Sequence, residues 1–200
     1  FAMDTQISNG YPMYISNFVV DYALHRDPTY SGTWEGDWYS VSRLQGLDTL
    51  ITNGTGSEQS GSWQHWDYNN GFGQNGSTSY TDWQAWMWKR HAGFDVVTYN
   101  GNGTIGRQMP HSLGVTPEMI WVKRRNANEH WYVYHKGVNG GTNPGDYMLY
   151  LNDNNPQIDH DQAWNNSLPT STHFSLGNDT AVNSGGTTQY IAMLFASAND

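Results

Sequence analysis

One set of landmarks occurs twice in this chain, in the same order. The segment 38-WYSV-41 answers 131-WYVY-134, and 47-LDTLITN-53 answers 146-DYMLYLN-152, with Leu50 over Leu149 and Asn53 over Asn152. Trp63 then matches Trp164, Phe72 matches Phe174, and 83-WQAWMW-88 matches 190-YIAMLF-195 with Ala85 over Ala192. Phe1, Thr5, Asn9 and Gly10 stand over Phe94, Thr98, Asn102 and Gly103. The offset drifts from 93 residues (Trp38 to Trp131) to 107 (Ala85 to Ala192), as loop insertions between fixed elements would make it do. Self-similarity of this kind restricts the chain to two copies of one supersecondary design.

The copies read as strands. Leu, Ile, Val and Phe account for only 33 of 200 residues, so much of the core has to come from the 10 Trp and 13 Tyr. Each of these can bury about 150–250 Å². Charged residues are 14%, and the abundance of Gly, Asn, Ser and Thr suits short strands joined by turns. On a period of two, Trp83, Ala85 and Met87 share one face of a strand while Trp86 and Trp88 share the other, so the strand is expected inside a sandwich or at a domain–domain junction, with a ligand platform as the alternative. The expected fold is all-β, with two tandem, internally homologous β-sandwich modules spanning 1–92 and 93–200. The Ala92-Gly93 linker between them is too short for independent tumbling.

A net charge of −9 repels nucleic-acid phosphates and anionic lipid. The basic cluster Lys123-Arg124-Arg125 reads as a solvated strand end. There is no cysteine, which excludes disulfides and thiolate metal sites. The longest apolar run, 191-IAMLFA-196, is far below the roughly 18 residues of a membrane span. Phe1 follows no initiator Met or leader pattern, so the chain is expected to be a mature product or an excerpt.

Several motifs suggest chemistry. The segment 101-GNGTIG-106 satisfies G-x-G-x-x-G, but 107-RQMPHSLGVTP-117 after it has no helical period, so a glycine-rich turn is expected rather than a dinucleotide site. Glu35 and Asp37 offer the paired carboxylates of a glycosidase, yet Asn128 and His130 stand at the matching positions, and the expected role is a solvated turn. The oxygen-rich 152-NDNNPQIDHD-161 lacks the Gly and the final Glu of a calcium loop and is expected to be an Asx-rich turn. His130 and His135 fall on opposite strand faces and make no metal pair. No cofactor, metal ligand or catalytic residue is assigned. Sequons at Asn53, Asn75, Asn102, Asn165 and Asn178 are candidate glycosylation acceptors, only slightly more than 20 Asn produce by chance.

The ordered elements 94-FDVVTYNGNG-103, 113-LGVTPEMIWVKRR-125, 131-WYVYHKG-137, 147-YMLYLN-152, 164-WNNSLPTSTHFSLG-177 and 190-YIAMLFA-196 carry a resemblance. They are similar to a module of uncharacterised function that recurs, often in tandem, in tail-fibre and other virion structural proteins of tailed phages, especially aquatic ones. The second half matches it nearly throughout and the first from Trp38 to Gly93. The resemblance implies a non-enzymatic structural and adhesive protein of a fibre or filament, virion-borne or extracellular, and supplies no active-site residues.

Self-assembly is expected on a separate ground. The chain has three lysines to guard sheet edges, and strands such as 20-VDYAL-24, 131-WYVYH-135 and 147-YMLYL-151 have uncharged interiors. If these are edges, identical subunits would pair along them into an oligomer or filament. The alternative function is a carbohydrate-binding module in which exposed Trp34, Trp63 or Trp66 stack on a cell-surface glycan.

Overall fold

The structure, a computed structural model, describes residues 1–6, 11–29, 36–61, 64–74, 82–91 and 93–197. The described residues form an all-β protein with short helical turns. The chain divides into two compact units, one comprising Phe1–Asn53 and Glu58–Lys89, the other Gly54–Ser57 and Arg90–Asp200.

The first unit contains β1 (Ala2–Thr5), β2 (Tyr14–Ile15), β3 (Tyr22–Arg26), β4 (Tyr39–Ser42), β5 (Leu50–Ile51), β6 (Gln64–His65), β7 (Gly71–Gln74) and β8 (Gln84–Trp88). An antiparallel sheet in the order β1-β8-β3-β4-β5 faces a smaller one in the order β2-β7-β6. The alternation of β8 decides what lies between them. Trp83, Ala85 and Met87 join Ala23 and Val41 in packing on Tyr14, Trp66 and Phe72. On the opposite face Trp86 meets Trp38 at 4.8 Å, and Trp88 meets Phe1 at 5.0 Å and Tyr22 at 5.4 Å between ring centroids. The tryptophan run is thus a core strand, with its second face half-buried. Asn53, just past β5, caps the strand beside it: the Trp38 N–H donates to Asn53 Oδ1 at 3.0 Å and the Thr52 N–H to the Trp38 carbonyl at 3.0 Å.

The second unit contains β9 (Phe94–Asn100), β10 (Arg107–Pro110), β11 (Met119–Arg124), β12 (Tyr132–His135), β13 (Tyr147–Tyr150), β14 (Ile158–Asp159), α1 (Asp161–Trp164), β15 (His173–Leu176), α2 (Thr180–Asn183) and β16 (Gln189–Phe195). Its main sheet runs β9-β16-β11-β12-β13-β14, and β10 pairs with β15. Tyr99, Val122, Tyr134, Tyr190, Ala192 and Leu194 of the sheet pack on Met109, Phe174 and Leu176 of the ribbon and on Trp164 and Val182 of the helices. Ile191 and Met193 on the other face of β16 are also buried, as a two-faced apolar strand requires. The Trp131 N–H donates to Asn152 Oδ1 at 2.9 Å and the Leu151 N–H to the Trp131 carbonyl at 3.1 Å. β10, a strand, follows 101-GNGTIG-106, and Gly101 is required there because a Cβ would collide with the Ser184 carbonyl.

Two expectations are corrected. Lys123 is fully buried, not solvated. β11 is an interior strand, and the Lys123 ammonium turns back on the chain, donating to the Arg124 carbonyl at 2.8 Å and the Ala127 carbonyl at 3.4 Å. The three strands expected at edges are likewise interior: β3 lies between β8 and β4, β12 between β11 and β13, and β13 between β12 and β14. Their uncharged character reflects pairing on both sides.

Candidate functional site

The first strand of each unit lies at one edge of its main sheet, and of these two β9 is the longer. Gly101 N–H donates to the Thr188 carbonyl, and Arg125 N–H to the Gln189 carbonyl. These bonds fix the phase of the ladder: Asp95, Val97 and Tyr99 turn their backbone groups inward to β16, while Phe94, Val96, Thr98 and Asn100 turn theirs outward. Local groups cover part of this edge. Val96 N–H donates to Asp95 Oδ1 (2.9 Å), the Phe94 carbonyl accepts from His91 N–H (2.9 Å), and the Asn100 carbonyl accepts from Arg107 Nη1 (2.5 Å). Among the described residues neither outward backbone group of the exposed Thr98 has a hydrogen-bond partner. Beside it a shallow polar cleft of about 320 Å³ is lined by Thr98, Tyr99, Asn100, Arg125 and Gln189.

Asp95 anchors the start of this edge. Its buried carboxylate accepts from Arg90 Nε (2.6 Å), Ser112 N–H (2.7 Å) and Ser112 Oγ (2.8 Å). Burial alone raises its pKa, but the Ser112 and Arg90 donors outweigh burial and hold it below the ordinary 3.8. In β1 the outward residues are Met3 and Thr5, and Thr5 N–H is covered by Asp4 Oδ1 at 2.9 Å.

The residues singled out for chemistry do not assemble into one site. Trp34, Trp63, Glu35 and Asn75 lie outside the described residues, and so does the Trp63 half of the Trp63/Trp164 match. Trp66 is corrected: it is buried, packed on Phe72 at 4.8 Å with Arg43 over its ring and its Nε1 donating to the Gly46 carbonyl at 2.9 Å. It can expose no face to a sugar because the turn after β6 folds it into the core. Asp37 accepts from Asn53 Nδ2 at 2.7 Å, which occupies that sequon's amide as well. Asn102 Oδ1 closes an Asx turn onto Thr104 N–H, Asn165 sits at φ 57° as the cap of α1, and Asn178 is exposed. In 152–161, Asp153 accepts from Asn154 N–H and Asn155 Nδ2, two local contacts that tie the segment to itself. Among the described residues no group of three or more His, Asp or Glu is placed to hold a metal.

Sequence reasoning missed one polar cluster. His160 Nε2 lies 2.7 Å from Asp179 Oδ2, which also accepts from the Tyr132 hydroxyl at 3.3 Å, while Asp179 Oδ1 caps α2 at Ala181 N–H. Burial, with Asp179 and Tyr150 adding to it, pushes the Tyr132 hydroxyl far above its ordinary value. Nothing in the spacing of 132, 160 and 179 signals this; the packing of α1 on β13 and of α2 on β11 brings His160 and Asp179 to Tyr132.

Fold and sites together define an all-β protein whose shared features are sheets, caps and edges. The chain belongs to the family described as a domain of unknown function, DUF7483, whose model matches residues 36–199. No curated protein and no solved structure matches it. Among the described residues no helix is long and apolar enough to cross a membrane.

Proposed function

We propose that this chain is a non-enzymatic structural and adhesive protein of a phage tail fibre or a related extracellular filament. In this reading it consists of two tandem, internally homologous β-sandwich modules and works by assembling with identical subunits. Bonds at repeat-related positions support the tandem reading. Asp21 N–H donates to the Trp88 carbonyl as Glu118 N–H does to Phe195, and Arg43 N–H donates to the Asp21 carbonyl as Lys136 N–H does to Glu118. The side chains follow, with ion pairs Arg43–Asp21 at 4.0 Å and Lys136–Glu118 at 2.6 Å. Among the described residues, what recurs holds sheets together. The observation that carries the assembly reading is the free outward edge of β9 at Thr98, open to strand addition by a second copy. Electron microscopy and light scattering across a concentration series test it. Concentration-dependent oligomers or filaments are expected, and Thr98→Pro should abolish them with the fold intact, since that N–H takes no part in the ladder. A monodisperse 22.6 kDa particle at high micromolar concentration would refute self-assembly.

A further inference from the structure

The outer face of the small sheet in the first unit carries an aromatic surface that no core explains. Phe72 of β7 points into the core, so its neighbours Gly71 and Gly73 lie on the outer face, opposite Ile15 of β2 and His65 of β6. Aromatic and proline rings lie over both glycines: a Cβ on Gly73 would come within 2.9 Å of Tyr68 Cε2, and one on Gly71 within 2.7 Å of Pro12 Cγ. Tyr11, 59% exposed, lies parallel to Tyr68, with centroids 6.3 Å apart and planes 10° from parallel. The His65 ring stands nearly perpendicular to Tyr11 at 6.1 Å. The base beneath is held firmly. The Trp66 carbonyl accepts from Arg43 Nη2 at 2.5 Å, and the Asn70 carbonyl accepts from Ser16 N–H at 2.9 Å and Asn17 N–H at 3.1 Å. Asp67, Asn69 and Asn70 are exposed on the turn that joins β6 to β7.

We infer that Tyr11 and Tyr68 form a binding platform for a neutral pyranose sugar. The exposed Tyr11 ring, backed by the parallel Tyr68 ring, offers an apolar face that matches the C–H face of a sugar ring, and the exposed carboxylate and amides of the turn can bond its hydroxyls. The exposed Asp67, next to Tyr68 in the chain, and a net charge of −9 oppose an acidic sugar. This site is independent of self-assembly. The test titrates the full chain, and separately the Thr98→Pro chain, with cellobiose, maltose and lactose, and with sialyllactose as the anionic control. Calorimetry and ligand-observed NMR supply the readouts. Saturable millimolar binding of a neutral disaccharide is expected, weakened at least tenfold by Tyr11→Ala and by Tyr68→Ala. Because the Tyr11 side chain is exposed, Tyr11→Ala carries the test even if Tyr68→Ala perturbs folding. Three results would each overturn the platform: no saturable binding of any neutral probe, binding of sialyllactose alone, or binding undiminished in the Tyr11→Ala chain.

Discussion

The two units solve the same folding problem with different reserves. In both, the first strand lies at the sheet edge and pairs with the last, the last pairs with the third, and the third continues into the fourth and fifth. An Asn after the fifth strand accepts from the N–H of the Trp that opens the fourth. Around this frame the described residues of the second unit include α1, α2 and the Asp95 clamp, and β14 pairs with β13, whereas in the first unit β6 pairs with β7. The cores differ too. Tyr39 and Tyr132 open equivalent strands, yet the residue facing Tyr39 is His25 and the one facing Tyr132 is Val122. The frame is set by backbone pairing, which tolerates such exchanges. The reserves depend on single side chains, which do not.

Substitution at the paired tryptophans breaks the comparison most sharply. Trp131 is fully buried, whereas Trp38 is half-buried between Trp86 and Arg26. Trp131→Ala should cost about 3–5 kcal/mol, the range for a deleted core aromatic, and Trp38→Ala about half of that. Denaturant unfolding of the two variants measures both. Equal losses would mean the units are energetically interchangeable.

Much of the frame is legible in the sequence, because period-two patterning and the order of landmarks report directly on strands. The alternation of Trp83, Ala85 and Met87 against Trp86 and Trp88 identifies a core strand before any coordinates. Which strands lie at edges is not legible, since an uncharged strand looks the same whether it is open or paired on both sides. β3, β12 and β13 show this. Nor does sequence reveal that Lys123 curls onto backbone carbonyls, or that Trp66 turns inward and leaves an exposed aromatic surface to Tyr11 and Tyr68. Those outcomes depend on close approaches, such as Tyr68 over Gly73, that only the folded chain creates.

Acid should separate the units next. His25 is 1% exposed, ringed by Tyr39, Phe72 and Trp83 at 5.3–5.7 Å, and among the described residues neither ring nitrogen has a hydrogen-bond partner. Burial therefore pushes its pKa down from 6.5 to about 3. The unfolded chain binds the proton more readily, so this stability is complete above pH 6.5 and is lost progressively as pH falls toward 3. Asp95 acts in a lower window: its depressed pKa contributes stability above the ordinary 3.8, lost as pH falls through the folded value. His25→Val installs the other unit's residue and relieves two unpartnered nitrogens, each an uncompensated polar burial of about 1–3 kcal/mol. Unfolding measured at pH 7 and pH 5 should show the wild-type chain weakening and the variant holding. A variant with the same pH slope would remove His25 from the account.

The smallest effect falls on the latch that the units share. Asn53 and Asn152 both accept from a tryptophan N–H, but their amide donors meet different groups: Asn53 Nδ2 lies 2.7 Å from Asp37 Oδ1, and Asn152 Nδ2 lies 3.0 Å from His130 Nδ1. An Asn→Asp exchange keeps the acceptor and removes the donor. In the first unit it sets a carboxylate against Asp37, so Asn53→Asp loses a hydrogen bond and gains a repulsion, for a cost of about 1 kcal/mol. In the second unit the new carboxylate meets an imidazole that can change tautomer and donate from Nδ1, so Asn152→Asp keeps the contact and should change stability by less than about 0.5 kcal/mol. Chemical denaturation resolves this difference, and raising the salt concentration should shrink the Asn53→Asp penalty, because that site is exposed and its repulsion is screened. Equal penalties, insensitive to salt, would show that the latch works through the tryptophan N–H alone and that the partner of the amide donor is incidental in both units.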